Sequence, residues 1–218
     1  MIAFLMENER FITLRRPPVV HVESQPWVPD RIDSDQVDSC WARIAERNPN
    51  AFDGRVLHVI GVHRNGAGGV SIHVAECAYR YYAVQTEGLD CGVRTLGAKA
   101  ITRAGDRILM GLRSDWVMYY PNLWEFVPGG SVIPGQSPTE TIIEEMHEET
   151  GLKVSRPPVP VAVAYDSEAY SWEVIHLIEL DEKATPIGSR EYGELKWSTR
   201  TSLPDQLTPI ARRMTSLI

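Results

Sequence analysis

The stretch FVPGGSVIPGQSPTETIIEEMHEETGL, residues 126–152, opens with a glycine turn and closes with a short segment crowded with glutamates. Ser137-Pro138-Thr139-Glu140 has the form of a capping box, in which the Ser137 hydroxyl accepts from the third helical N–H and Glu140 reaches back. Pro138 suits the first helical position, where its fixed φ fits and its missing N–H does no harm. Gly151 supplies the left-handed stop. The pattern predicts a helix over about 138–150 that carries Glu144, Glu145, Glu148 and Glu149 but no lysine or arginine.

At about 100° per residue, Glu145, Glu148 and Glu149 share an arc of roughly 100°. Ile142, Ile143 and Met146 form an apolar stripe on another side, with Glu140, Glu144 and His147 on the remaining flank. Each close acid pair costs an isolated helix about 0.2–0.5 kcal/mol, and a bound divalent cation would reverse that sign. All-oxygen donors suit Mg²⁺ or Mn²⁺ rather than zinc. A solvated acidic face is the plainer reading of a charge run. Against it stand the glycines of PGGSVIPGQ, whose backbone can approach a ligand or metal closely.

The spacing resembles the Nudix hydrolase signature. Gly130 is its opening glycine, Glu144-Glu145 fall on its Arg-Glu pair, and Met146 is its aliphatic residue. Glu148-Glu149 are its paired acids, and Gly151-Leu152 close it. The upstream NLWEFVPGG is similar to the family's lead-in strand. Two positions depart from the pattern: Gln136 stands where the first glutamate belongs, and Glu144 replaces the arginine. The resemblance implies a Nudix-type α/β/α sandwich with a mixed sheet, an α/β (α+β) fold. It also implies divalent-metal-dependent hydrolysis of a pyrophosphate bond in a nucleoside diphosphate linked to another group. Glu145, Glu148 and Glu149 are then the metal-binding and catalytic carboxylates, Mg²⁺ is the cofactor with Mn²⁺ as a substitute, and the Gly130 carbonyl is a further ligand. Glu191, in SREYGELKWST, is the candidate general base, with Glu194 as competitor; two surface loop acids are the alternative reading. Arg113, Tyr119 and Tyr120 are candidate substrate contacts. Trp116 shares their loop, and packing onto the core is the expected role of such aromatics.

The rest of the 218-residue chain agrees with a soluble globular protein. It is 43% apolar and 23% charged, with a net charge of −7, which argues against nonspecific nucleic-acid binding. Cys40, Cys77 and Cys91 form no Cys-x-x-Cys pair, so neither a disulfide framework nor a zinc site is expected and a reducing cytoplasm is the simplest setting. His21, His58, His63 and His73 show no metal spacing. The apolar start is too short for a signal peptide, and no run approaches the roughly 20 apolar residues of a membrane span.

Residues 92–218 are expected to form the hydrolase domain and residues 1–91 a mostly β extension with one helix. MIAFLMENERFITLRR reads as two strands about a turn at Glu7–Glu9. DSDQVDSCWARIAERNPN reads as a helix capped by Asp33 or Ser34 and ended by Asn48-Pro49-Asn50. RVLHVIGVHR and VSIHVAECAYRYYAVQT read as a hairpin, and LPDQLTPIARRMTSLI as a closing helix. Trp41, Asn48-Pro49 and Phe52-Asp53-Gly54 loosely resemble the extension of UDP-glucose-type Nudix pyrophosphatases, which implies a nucleoside diphosphate sugar as substrate. The resemblance further implies a small-molecule nucleotide partner and allows a homodimer. A weakly catalytic ligand-binding module and a triphosphate pyrophosphohydrolase are the competing readings.

Overall fold

A computed structural model describes residues 10–30, 32–48, 51–181, 185–188 and 190–218. The expected strand before residue 7, the turn at Glu7–Glu9 and the Pro49-Asn50 helix end lie outside the described residues.

The described residues contain a mixed 11-stranded sheet. Its strands are β1 (Phe11–Thr13), β2 (Val19–Val22), β3 (Arg55–Arg64), β4 (Val70–Ala78), β5 (Thr95–Ala104) and β6 (Arg107–Arg113), followed by β7 (Trp124–Phe126), β8 (Gly129–Ser131), β9 (Val159–Asp166), β10 (Ser171–Glu179) and β11 (Tyr192–Thr199). The helices are α1 (Ser34–Arg47), α2 (Tyr79–Ala83), α3 (Pro138–Thr150) and α4 (Pro209–Met214). This is the mixed α+β class that the strand and helix pattern predicts.

β5 lies at the centre. It runs parallel to β10, with Thr95 opposite Ser171 and Arg103 opposite Glu179, and antiparallel to β8 and β6. It is buried along nearly its whole length, with Lys99 and Arg103 its half-buried positions. The main path runs β1-β9-β10-β5-β3-β4-β2, so strands from the first ninety residues continue the same sheet. Alternation along the strands sets two cores. Val163 and Val174 join Ile142 and Met146 of α3 on one face. Ala162, Ala164 and Ile175 meet Ile210, Ala211 and Met214 of α4 on the other.

Two expectations fail locally. The segment 79–87 is helical, not strand: α2 continues into a 3-10 turn over Val84–Glu87, closed by Gly88 at φ 86°. Tertiary contacts override β propensity there. The Arg80 N–H donates to the Asp53 carboxylate at 2.9 Å, and the Tyr82 hydroxyl donates to the Ala169 carbonyl at 2.8 Å. The closing helix starts only at Pro209, because residues 206–208 pair with β7. The Trp124 N–H donates to the Gln206 carbonyl and the Thr208 N–H to the Trp124 carbonyl, at 2.8 and 2.9 Å.

The three cysteines are buried with free thiols. Three of the four histidines that lack metal spacing in sequence meet across strands, while His58 stacks on Trp27 with ring centroids 4.1 Å apart. His21 stacks on His73 with ring centroids 4.7 Å apart, and His63 lies edge-on to His73 at 6.2 Å.

Candidate active site

The acidic helix forms as its sequence dictates. Ser137 and Glu140 complete the capping box, Pro138 occupies the first turn, and Gly151 at φ 68° ends α3. Its rotation differs from the expected one. Ile142 and Met146 are fully buried, but Ile143 is 41% exposed. The inward stripe runs 142, 146, 149–150, the i, i+4, i+7 spacing of one helix face. Glu149 is therefore carried into the interior at 3% exposure, Glu145 is half-buried and Glu148 is exposed. The three glutamates share an arc but occupy three different environments.

Two glycines and a tyrosine receive them. The Gly129 N–H donates to Glu149 at 3.2 Å, and the Tyr192 hydroxyl donates to Glu149 at 3.4 Å. A Cβ at Gly130 would run into the Glu145 carboxylate, so β8 needs glycine there for the close approach. Glu191 acts electrostatically on both Glu145 and Glu149 and shares a hydrogen bond with Glu149. Its competitor Glu194 sits exposed on β11 opposite Leu112, outside this cluster. Burial, then Glu191, Glu148 and Glu144, push the Glu145 carboxyl up to about 7. Burial, then Glu145 and Glu191, hold Glu149 well above the ordinary carboxylate range.

Beneath the cluster lies a buried charge network that the helix motif does not announce. Lys99 on β5 pairs with Glu125 on β7 at 2.8 Å, and Arg113 on β6 pairs with the other Glu125 oxygen. The Tyr192 hydroxyl donates to Glu125 at 3.1 Å. Burial alone would push Glu125 up, but Lys99 and Arg113 outweigh it and hold the carboxyl at about 2. Lys99, Glu125 and Glu173 each interrupt an apolar strand, in LGAKAIT, LWEFV and YSWEVIH. That interruption was the signal available in sequence, because charged residues are seldom buried without partners.

A cavity of about 240 Å³ opens between these groups. Arg113, Tyr119 and Tyr120 line it beside Gly130, Glu145 and Glu191, so these candidate residues are brought together. Glu149 lies behind the wall and Glu148 outside it. The Arg113 guanidinium is engaged by Glu125, and its Nε donates to the Tyr119 carbonyl at 2.9 Å. The Tyr120 hydroxyl donates to Asp166 at 2.5 Å. Tyr82, from the front of the chain, also lines the cavity, with its ring 6.0 Å from that of Tyr119. Trp116 is not packed onto the core; it is 63% exposed.

The lining holds Lys99 and Arg113 against Glu125, Glu145, Asp166, Glu173 and Glu191. This acid excess with all-oxygen donors has the chemistry that hard divalent cations complement. Glu145, Glu149 and the Gly130 backbone lie together where such an ion could be held, with Glu191 beside them and Glu148 at the exposed end of the arc. Among the described residues, no three His, Cys, Asp or Glu side chains form a ready-made metal cage.

The two departures from the motif meet each other. The Gln136 side-chain amide donates to Glu144 at 2.6 Å, and the Gln136 carbonyl accepts from the Thr141 hydroxyl at 3.2 Å. A glutamate at 136 would set two carboxylates face to face, whereas glutamine supplies the donor that Glu144 requires.

The NUDIX domain family model matches residues 93–218, more than half of the chain. An RNA pyrophosphohydrolase of Agrobacterium fabrum (strain C58) is 27% identical over 143 residues, covering 56% of this chain and 82% of that protein. A MutT NUDIX hydrolase structure from Burkholderia pseudomallei is similar at 21% identity and a TM-score of 0.48, covering 56% and 96%. A bifunctional NMN adenylyltransferase/ADP ribose pyrophosphatase from Francisella tularensis gives 16% identity and a TM-score of 0.47, covering 62% and 44%.

Proposed function

Since this chain belongs to the NUDIX family and is a pyrophosphohydrolase, we propose that it cleaves the pyrophosphate bond of a nucleoside diphosphate sugar with Mg²⁺ or Mn²⁺. The observation that carries this reading is the meeting of Glu145, Glu149 and Glu191 beside Gly130, at a cavity whose wall includes Tyr82. Tyr82 precedes the matched domain, so the extension of residues 1–91 contributes to the pocket of the hydrolase domain, residues 92–218. A compact triphosphatase would not require that wall.

Glu145 and Glu149, with Glu148 at the exposed end of the arc, would hold the divalent ion together with the Gly130 carbonyl. When bound, the ion neutralises these carboxylates and polarises the phosphoryl oxygens. Gly129 and Tyr192 fix the direction of Glu149. Lys99 and Arg113 keep Glu125 ionised in the floor, so that the network does not draw protons from the reacting groups. Glu191 accepts a proton from the attacking water as its oxygen bonds to phosphorus. The bond from phosphorus to the bridging oxygen breaks, releasing two monophosphates. Arg113, Tyr119 and Tyr120 line the path of the substrate.

The test is a panel of UDP-sugars, ADP-ribose, dinucleotides, nucleoside triphosphates and 5′-triphosphorylated RNA, assayed for released phosphates with Mg²⁺. Turnover of the diphosphate-linked sugars, lost in Glu149→Gln, is the expected result. Preferential cleavage of triphosphates or of the RNA end would overturn the substrate reading. Tight binding of nucleotide without turnover would overturn the mechanism.

A further inference from the structure

The 240 Å³ cavity adjoins a second, wider groove of about 680 Å³. The two share Tyr82, Arg113, Tyr119, Ser131 and Glu191. Their far ends differ in chemistry. The inner end is closed by Thr95, Asp166, Ser171 and Glu173, at the facing ends of β5, β9 and β10. The Ser171 hydroxyl donates to Glu173 at 2.6 Å. Gly97 lets the Glu173 carboxylate lie against its strand, because a Cβ there would strike it. Three donors fix Asp166: the Tyr120 hydroxyl and the N–H groups of Glu168 and Ala169. Carboxyl groups held this way accept hydroxyl hydrogens; Lys99, which also lines this cavity, is already paired with Glu125 at 2.8 Å.

The outer groove runs between α1 and the loop before β7. Its walls include Ile44, Tyr79, Trp116 and Met118. Trp116 and Met118 are 63% and 43% exposed, so this large apolar surface does not serve the core. An exposed indole beside a phosphate path is a stacking platform for a planar base. The shared middle, with Glu191, Arg113 and Ser131, is where a diphosphate linking two such groups would lie.

We infer that the two cavities read opposite ends of one substrate: Trp116 stacks on the nucleobase in the outer groove, while Asp166 and Glu173 bind the hydroxyls of a glycosyl group in the inner cavity. This assignment rests on the pyrophosphohydrolase reading above. It gives the inner end to hydroxyl groups rather than to the terminal phosphate of a nucleoside triphosphate.

The experiment separates the ends by using the products. UMP and AMP probe the groove, and glucose 1-phosphate and ribose 5-phosphate probe the cavity, each titrated by calorimetry with Mg²⁺. Trp116→Ala should weaken the mononucleotides about tenfold and leave the sugar phosphates within about twofold. Glu173→Gln and Asp166→Asn should do the reverse. Equal losses for both probes in every variant, no loss in any, or inverted selectivity would overturn the assignment. Trp116 is exposed and its replacement leaves the core intact. If Glu173→Gln fails to fold, Asp166→Asn decides the inner end. Binding is read without turnover, so the two readings fail separately. Split binding with no hydrolysis of any diphosphate sinks the hydrolase reading. Normal hydrolysis without split binding sinks the subsites.

Discussion

Helix α3 and the aromatic wall face the same cleft, yet they are built from opposite materials. The acidic side comes from one continuous stretch, and its chemistry is charge at helical spacing. The aromatic side draws Ile44, Tyr79, Tyr82 and Trp116 from segments far apart in the chain, and its chemistry is apolar surface. Carboxylates that converge on one point need fixed angles, and a capped helix supplies these locally. A surface that only has to flank a groove can be assembled from loops and helix ends. Reaction and selectivity should therefore separate on mutation.

The sharpest way to break this contrast is in the carboxylates. Glu149→Gln and Glu191→Gln should each lower kcat by roughly 10³-fold, while Tm holds or rises because like charges are removed. A loss confined to KM would place them on the binding side instead. Next is the floor. Lys99→Met leaves the buried Glu125 with one cation and should cost about 3 kcal/mol, a Tm drop of roughly 6–12 °C measured by calorimetry.

The pH dependence spans both regions. Burial, then Arg94, holds His58 of the front segment at about 4, and burial holds His176 beneath α3 at about 4. Both stay neutral in the fold, while the unfolded chain takes up protons below about 6.5. Their contribution is full above pH 6.5 and is lost as pH falls toward 4, on the order of 3 kcal/mol each. Glu145 and Glu149, raised in the fold, act with the opposite sign and gain stability as pH falls from about 7. Because β3 and β4 continue the sheet of β5, a single melting transition is expected, and between pH 7 and pH 5 it should move further down in Glu149→Gln, which lacks that offset, than in the unchanged protein. Two transitions moving separately would show the walls to be independent. The smallest effect concerns the motif's departures: Gln136→Glu should cost about 0.5 kcal/mol in chemical denaturation, and adding Glu144→Arg should restore it.

Much of α3 was legible because its instructions are local. The capping box, Pro138 and Gly151 fix its ends, and the spacing fixes which acids are neighbours. Its rotation was less legible: Ile142, Ile143 and Met146 could all face inward in isolation, and only packing against Val163 and Val174 selected 142 and 146. Which of Glu191 and Glu194 lies beside the acids of α3 also needed the fold: Glu194 is paired within β11 opposite Leu112, while Glu191 precedes the strand and lines the cavity. The 79–87 segment misled because its tyrosines favour strands on propensity, while the hydrogen bonds from Arg80 to Asp53 and from Tyr82 to Ala169 favour a helix.

The chain's own order of residues determined the acidic helix, its caps, its missing cation and the central apolar strands. Each depends on neighbours within a few residues, where backbone geometry is nearly fixed. Only the folded arrangement decided that Lys99 and Arg113 clamp Glu125, that Gln136 meets Glu144, and that Asp166 and Glu173 end one cavity while Trp116 flanks another. Those contacts join residues whose separation along the chain carries no information about distance, because strand pairing and burial set it.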